Sequence, residues 1–362
     1  MVTAAIEKPA TAEDLARCLH EAAEARLSVV PVGGGRASAM GDALKGRDVE
    51  IHTARLDRVL EHSHADMVVT VEAGITLEAL QAELAKGGQF LPLDPFNSPG
   101  HTIGGLLATG WTGPLRQRYG SARDFLIGIR IAQPDGRLAS AGGRVVKNVS
   151  GYDLMKLHLG AMGSLGVIVA ASFKVFPSPL HDVTVEAAHD SIDDAWAASE
   201  RALDLPLMPA ALELFSDGRV LARFLGSKDA VNRMVAELGW AKADSSVWLE
   251  HSTRAPEGWA RIAVPRHQLR PTLAALPPGA TWWASPGVGI AYWSIVTSGE
   301  TVRTARSAAE SAGGSLVLMA APADLTREVG AWGTPPTTLE LMQRIKTAFD
   351  PGHVLNPGRF VV

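Results

Sequence analysis

The stretch Val29-Val30-Pro31-Val32 runs without interruption into Gly33-Gly34-Gly35-Arg36. An apolar, β-branched run of this length reads as a buried strand, and three glycines at its end read as a tight turn. Glycine tolerates positive φ and carries no side chain, so such a turn gathers backbone N–H groups into a concave patch that an anion can approach closely. The expected ligand is a diphosphate. The dinucleotide fingerprint G-x-G-x-x-G would need a third glycine where Ser38 stands, with a helix directly behind it, and neither is present. A plain glycine loop is the alternative, so other segments must decide.

Three of them bear on the question. Thr102-Ile103-Gly104-Gly105-Leu106-Leu107-Ala108-Thr109-Gly110 places a capping hydroxyl before two glycines and small residues. It predicts a helix N-terminus with unpaired amides facing an anion, or a helix packed closely through its glycines. Lys147 to Leu154, followed by Gly160-Ala161-Met162-Gly163-Ser164-Leu165-Gly166-Val167-Ile168, offers main chain against which a flat heterocycle can hydrogen-bond. The tail from Phe349 to Phe360 is rich in Pro, Gly and Asn, and is expected to dock back on the first domain.

The rest of the chain sets the frame. With 362 residues, 46% of them hydrophobic, 20% charged and a formal net charge of −4, it should form two domains with sizeable cores and no polyanionic partner. No secretion signal or membrane-length apolar run is evident, so a cytoplasmic location is expected. Cys18, the single cysteine, rules out an internal disulfide, a four-cysteine iron–sulfur or zinc site, and CxxC chemistry. Redox activity would need an organic cofactor. Apolar residues at odd positions from Val167 to Val175 predict a half-buried strand. Pro177-Ser178-Pro179 marks a boundary, and an α+β region of short strands and helices follows to Pro335-Pro336.

The Gly33-Gly34-Gly35 loop, the Thr102-Ile103-Gly104-Gly105 stretch with Arg118-Tyr119-Gly120, and the Gly163-Ser164-Leu165-Gly166-Val167-Ile168 run together resemble the FAD-binding domain of the vanillyl-alcohol-oxidase (PCMH-type) flavoprotein family. The order and spacing agree over about residues 1 to 180. More narrowly, Lys147 to Leu154 with Phe349-Asp350-Pro351 and Leu355-Asn356-Pro357-Gly358-Arg359-Phe360 is similar to the FAD-binding subunits of bacterial glycolate oxidases. The fold the resemblance implies is α+β: a two-subdomain PCMH-type FAD domain over 1–178, a smaller cap over 179–334, and a helix and tail over 335–362 returning to the FAD domain. The cofactor implied is non-covalent FAD, since this loop has no attachment His and the only Cys is in the first helix. Its site would comprise Pro31, Val32, Gly33, Gly34, Gly35, Arg36, Ala37 and Ser38 in the first loop, and Thr102, Ile103, Gly104, Gly105, Ala108, Thr109 and Gly110 in the second. Tyr119, Gly163 and Gly166 accompany them. Val167 and Ile168 would offer main chain near the adenine, Leu93, Asp94 and Pro95 would lie close to the flavin, and Asn356 would reach the isoalloxazine.

The activity implied is oxidation of a 2-hydroxy acid such as glycolate, within a complex that also holds a catalytic FAD subunit and an iron–sulfur subunit. A free-standing dehydrogenase and a structural subunit with a vestigial flavin site are the alternatives. Related dehydrogenases carry a His-rich metal motif and a Glu-His-Gly stretch that are absent here, so no metal is expected. His181, His189, His251 and His267 lack ligand spacing and read as surface or satisfied residues. Arg254, Arg261 and Arg266 are candidates for a carboxylate, although surface arginines are commoner. Trp282, Trp283, Trp293 and Trp332 are candidates for a partner surface, although tryptophans on strands are more often core. The sequence assigns no catalytic residue.

Overall fold

Thr11 ends the first extended segment and starts the first helix, Ala12–Glu24, by accepting the Asp14 amide on its Oγ1 at 3.0 Å. In the computed structural model, which describes residues 4–96, 99–143, 153–253, 258–295 and 298–362, this helix buries Leu15, Ala16, Leu19 and Ala22. Those side chains share a core with a three-stranded parallel sheet in the order Ala5–Glu7, Val49–His52, Val29–Val32. The glycine turn therefore sits at the carboxyl end of an edge strand.

An antiparallel five-stranded sheet lies behind, in the order Val59–Ser63, Val68–Glu72, Val167–Lys174, Leu126–Ala132, Leu138–Gly142. Its central strand differs from the half-buried expectation: every residue from Val167 to Phe173 is buried, and only Lys174 is exposed. Val167 and Val169 face the core of the first helix, while Ile168, Ala171 and Phe173 face a second core. Ser172 is accommodated there by a 2.9 Å hydrogen bond with Thr70. Central position, which periodicity does not reveal, covers both faces.

From His181 onward the strands form one eight-stranded antiparallel sheet. Helices Ile192–Leu203, Lys228–Leu238 and Gly299–Ser311 cover one face and share its core with Trp282 and Trp293. The other face carries Phe215, Leu221, Trp259, Trp283, Tyr292, Val317 and Met319 into the same core as Phe96, Leu106 and Trp111 of the first half. The tryptophans are thus packing residues rather than a partner surface. Trp282, Trp283 and Trp293 are buried, and the half-buried Trp332 donates its Nε1 to the Arg359 carbonyl at 2.9 Å.

After helix Leu339–Phe349 the tail returns as the sequence predicts. Leu355 forms a parallel bridge with Val29, and the Asn356 amide donates to the Val29 carbonyl at 2.9 Å. The return is pinned by the Lys346 ammonium, which is buried and donates to the carbonyls of Ser164 (2.8 Å) and Leu355 (3.0 Å) and to Asp350 (2.5 Å). Asp350 in turn accepts the Val354 and Leu355 amides. Among the described residues no helix is long and apolar enough to cross a membrane.

Candidate functional site

An open cleft lies where the glycine turn meets the 101–109 segment. The two segments touch: a Cβ on Gly33 would overlap Thr102 Oγ1, and one on Gly34 would overlap the Gly100 carbonyl. Glycine is needed at both positions for this approach. The Ser38 hydroxyl donates to the Gly35 carbonyl at 2.7 Å and shapes the turn. The amides of Gly33, Gly34, Gly35 and Ala37 meet no acceptor among the described residues. Backbone donors gathered at one turn in this way suit an anion.

The second segment contributes differently from the sequence expectation. Helix Ile103–Thr109 is capped by Thr102, whose Oγ1 accepts the Gly105 amide at 3.3 Å, and the amides of Ile103 and Gly104 donate to the carbonyls of Ile75 and Ala73. Its first-turn amides are consumed internally. The helix supplies a wall instead, through Thr102, Gly105, Ala108 and Thr109. At Gly105 a Cβ would meet only Thr102 Oγ1, at 3.1 Å, so the absent side chain leaves room in the cleft.

Pro31, Val32, Arg36, Ala37 and Ser38 complete the near wall, and Asn356 arrives from the tail. Asn356 Nδ2 donates to the Met162 carbonyl at 2.6 Å, whereas its Oδ1 is buried and has no partner. A buried orphan acceptor lining a cleft is what a bound ligand resolves. Sequence reasoning missed several lining residues. Glu50 takes hydrogen bonds from His52 (2.8 Å) and Arg47 (2.6 Å), and chiefly through His52 its carboxyl is held below the usual range. Arg359 donates to the carbonyls of Ala37, Ser38 and Met40, tying the tail to the loop. Burial lowers the pKa of His101, whose Nε2 lies 2.9 Å from the Phe96 carbonyl. A charged residue inside an apolar strand, as at Glu50, was the available signal.

The remaining expected residues lie outside the cleft lining. Ile103 is buried beneath it, Gly104 packs on Ala73, and Gly110 ends the helix with φ 67°. Gly163 lies between Asn356 and Pro31, close behind the lining. Val167 and Ile168 pair with Ala132 and Ile131, where Gly166 also packs. Tyr119 packs edge-on against Phe90 and Phe176. Leu93, Asp94 and Pro95 line a separate cavity with Arg223, Trp248 and His251, where burial raises the Asp94 carboxyl to about 8 against the opposing hydrogen bond from the Leu115 amide. Phe96 separates the two spaces, bonding His101 through its carbonyl and meeting His251 through its ring at 4.8 Å. Residues 144–152, which include the Lys147–Tyr152 segment, and Arg254 lie outside the described residues.

One buried polar cluster was illegible beforehand. His251, expected at the surface or satisfied, is 3% exposed and pairs through Nε2 with Glu213 at 3.3 Å. Ser285 donates to the other Glu213 oxygen. No group of three His, Cys, Asp or Glu suited to a metal ion occurs among the described residues.

The cleft fits a flavin dinucleotide: free amides for the diphosphate, an orphan acceptor and open walls. Comparison with known proteins agrees. The FAD binding domain family matches residues 3–142, and the C-terminal domain of FAD linked oxidases matches residues 328–360. Glycolate oxidase subunit GlcE of Escherichia coli is 29% identical over 94% of this chain and 95% of its own. Glycolate oxidase subunit GlcD of Bacillus subtilis is 30% identical over 60% of this chain but 46% of its own, and the mitochondrial D-lactate dehydrogenase [cytochrome] of Arabidopsis thaliana 32% over 59% and 37%. The chain thus spans less than half the length of those two relatives. A solved structure of alkyldihydroxyacetonephosphate synthase superposes with a TM-score of 0.71 at 16% identity, covering 98% of this chain and 77% of that one, a likeness of fold. The chain is therefore similar to an FAD binding domain over residues 3–142 and to the C-terminal domain of FAD linked oxidases over residues 328–360, and FAD is its cofactor.

Proposed function

We propose that this chain is the FAD-binding subunit of a 2-hydroxy-acid oxidase of the glycolate oxidase type, acting on glycolate to give glyoxylate and passing electrons to partner subunits. The extent of similarity carries this reading. It runs end to end with GlcE, a protein named as a subunit, and stops near 60% of the chain for GlcD and the D-lactate dehydrogenase.

When bound, FAD supplies the acceptor for two electrons and a proton. The amides of Gly33, Gly34, Gly35 and Ala37 would hold its diphosphate, with Ser38, Thr102, Gly105, Ala108 and Thr109 as walls and Asn356 Oδ1 accepting a hydrogen bond from the dinucleotide. Leu93, Asp94 and Pro95 form the flavin-side loop in this reading, and the units are 1–178, 179–334 and 335–362. The partners are a second, catalytic flavin subunit and an iron–sulfur subunit, in the cytoplasm and held to a membrane only through them. The unpaired amides support a filled site over a vestigial one, because donors kept free of partners are costly without a ligand or water.

The test is to purify the chain, reconstitute it with FAD, record its visible spectrum and add glycolate or D-lactate without oxygen. Yellow protein that is reduced only once the partner subunits are added is the expected result. Bleaching of the isolated chain makes it a free-standing dehydrogenase, and colourless protein after reconstitution overturns the reading.

A further inference from the structure

Among the described residues that line the glycine-turn cleft, Glu50 is the only acid. It stands on strand Val49–His52, registered against Ile6 on one side and Val30 on the other, and its side chain is 10% exposed. A carboxylate is out of place in a cleft whose free amides suit an anion, unless it recognises something other than phosphate.

Three N–H groups hold this carboxylate. Arg47 gives Nε, at 2.6 Å, and Nη2 to Oε1, and His52 gives Nε2 to Oε2 at 2.8 Å. These donors, His52 first, keep the group ionised against the opposing effect of burial. An ionised carboxylate has about four acceptor sites, so Oε2, with a single donor, has room for another. A ligand group that meets it in the cleft must donate a hydrogen bond.

Position narrows what that group is. Val30, level with Glu50, precedes Gly33 by three residues, so Glu50 lies at the foot of the turn, about 10 Å back along the strand. Thr102 and Gly100 close on the tip of the turn at Gly33 and Gly34, and their neighbour His101 leads through Phe96 to the loop Leu93–Pro95, on the proposed flavin side. With the diphosphate at the turn and the flavin toward Phe96, the adenosine half falls to Glu50.

We infer that Glu50, held by Arg47 and His52, accepts a ribose hydroxyl of the adenosine half of FAD, and so selects a dinucleotide with a free ribose diol over a mononucleotide flavin. A hydrogen bond to an ionised acceptor is about twice as strong as a neutral one. Parallel sheets that bind nucleotides in other folds divide the task in the same way, with backbone amides for phosphate and an acid for the ribose. The inference rests on FAD as the cofactor and is independent of the proposed oxidation.

The test is competition on the full chain, with FAD binding followed by flavin fluorescence and with ADP or its 2′,3′-dideoxy analogue as competitor. ADP should displace FAD from the natural protein about tenfold more readily than the dideoxy analogue does. In Glu50→Gln that preference should vanish and FAD affinity should fall about tenfold, while FMN affinity stays unchanged. Arg47→Met, which loosens the same cluster but keeps the carboxylate, should retain the preference. Equal competition by the two nucleotides on the natural protein overturns the inference, and this comparison needs no variant to fold. A preference that survives in Glu50→Gln, or that is lost equally in Arg47→Met, also overturns it. So does FMN weakened as much as FAD, which would set Glu50 against the flavin half instead. The functional reading fails separately: a diol preference that depends on Glu50, in a protein and complex that no 2-hydroxy acid reduces, keeps the role of Glu50 and removes the oxidation.

Discussion

The glycine-lined cleft and the interface beneath the large sheet are built on opposite principles. The cleft is made of backbone: free amides at Gly33 to Gly35, side chains missing at Gly105, and a tail that docks through main-chain bonds. The interface is made of side chains, with Arg261, Tyr292, Trp283, Glu213 and His251 drawn from strands and a helix up to about 80 residues apart in sequence. Backbone sites depend on which residues lack bulk, and side-chain sites depend on strand order. The first are therefore disrupted by adding atoms, and the second by removing them.

The largest effect should come from the pin that holds the tail against the cleft. Lys346→Met leaves Asp350 buried without its cation, and a broken buried pair costs about 3–5 kcal/mol; chemical denaturation should show this loss, with FAD released at lower denaturant than the global transition. Next, Gly105→Asp adds a carboxylate to the wall facing the proposed diphosphate. FAD affinity should fall at least a hundredfold, roughly 3 kcal/mol, with little change in circular dichroism. Full flavin retention would break the assignment of the cleft as an anion site.

On the interface side, Glu213→Gln keeps the shape but alters the partner of His251 and Ser285, and should cost about 1–3 kcal/mol in denaturation. The last effect is a slope with pH. Burial raises Asp94 to about 8, above its value in the unfolded chain, so the folded protein holds a proton that the unfolded one has lost. Stability from this group is complete below pH 4 and declines as pH rises toward 8, by up to about 1.4 kcal/mol per unit. Asp94→Asn should flatten the fall in melting temperature between pH 5 and 8; an unchanged slope would remove Asp94 from the buried set.

The same contrast explains what could be read in advance. Glycines at 33 to 35 and 105, and the Pro/Asn/Gly tail, announce themselves because no other residue serves where chains meet this closely. What stayed hidden needed the third dimension. The expected free amides of the Ile103–Thr109 helix are taken by Ala73 and Ile75, from a segment 30 residues earlier. His251, on helix Ser246–Thr253, looked solitary because Glu213 and Ser285 lie on two strands of the large sheet, and Arg261 looked like a surface cation until sheet order placed it beside Tyr292.

The account stands most directly on where the two phosphates of FAD lie. A structure of the FAD-loaded protein should put their oxygens within hydrogen-bond distance of the Gly33, Gly34, Gly35 and Ala37 amides, between that turn and the Thr102–Thr109 wall. Phosphates found elsewhere, with water alone on those amides, would contradict it.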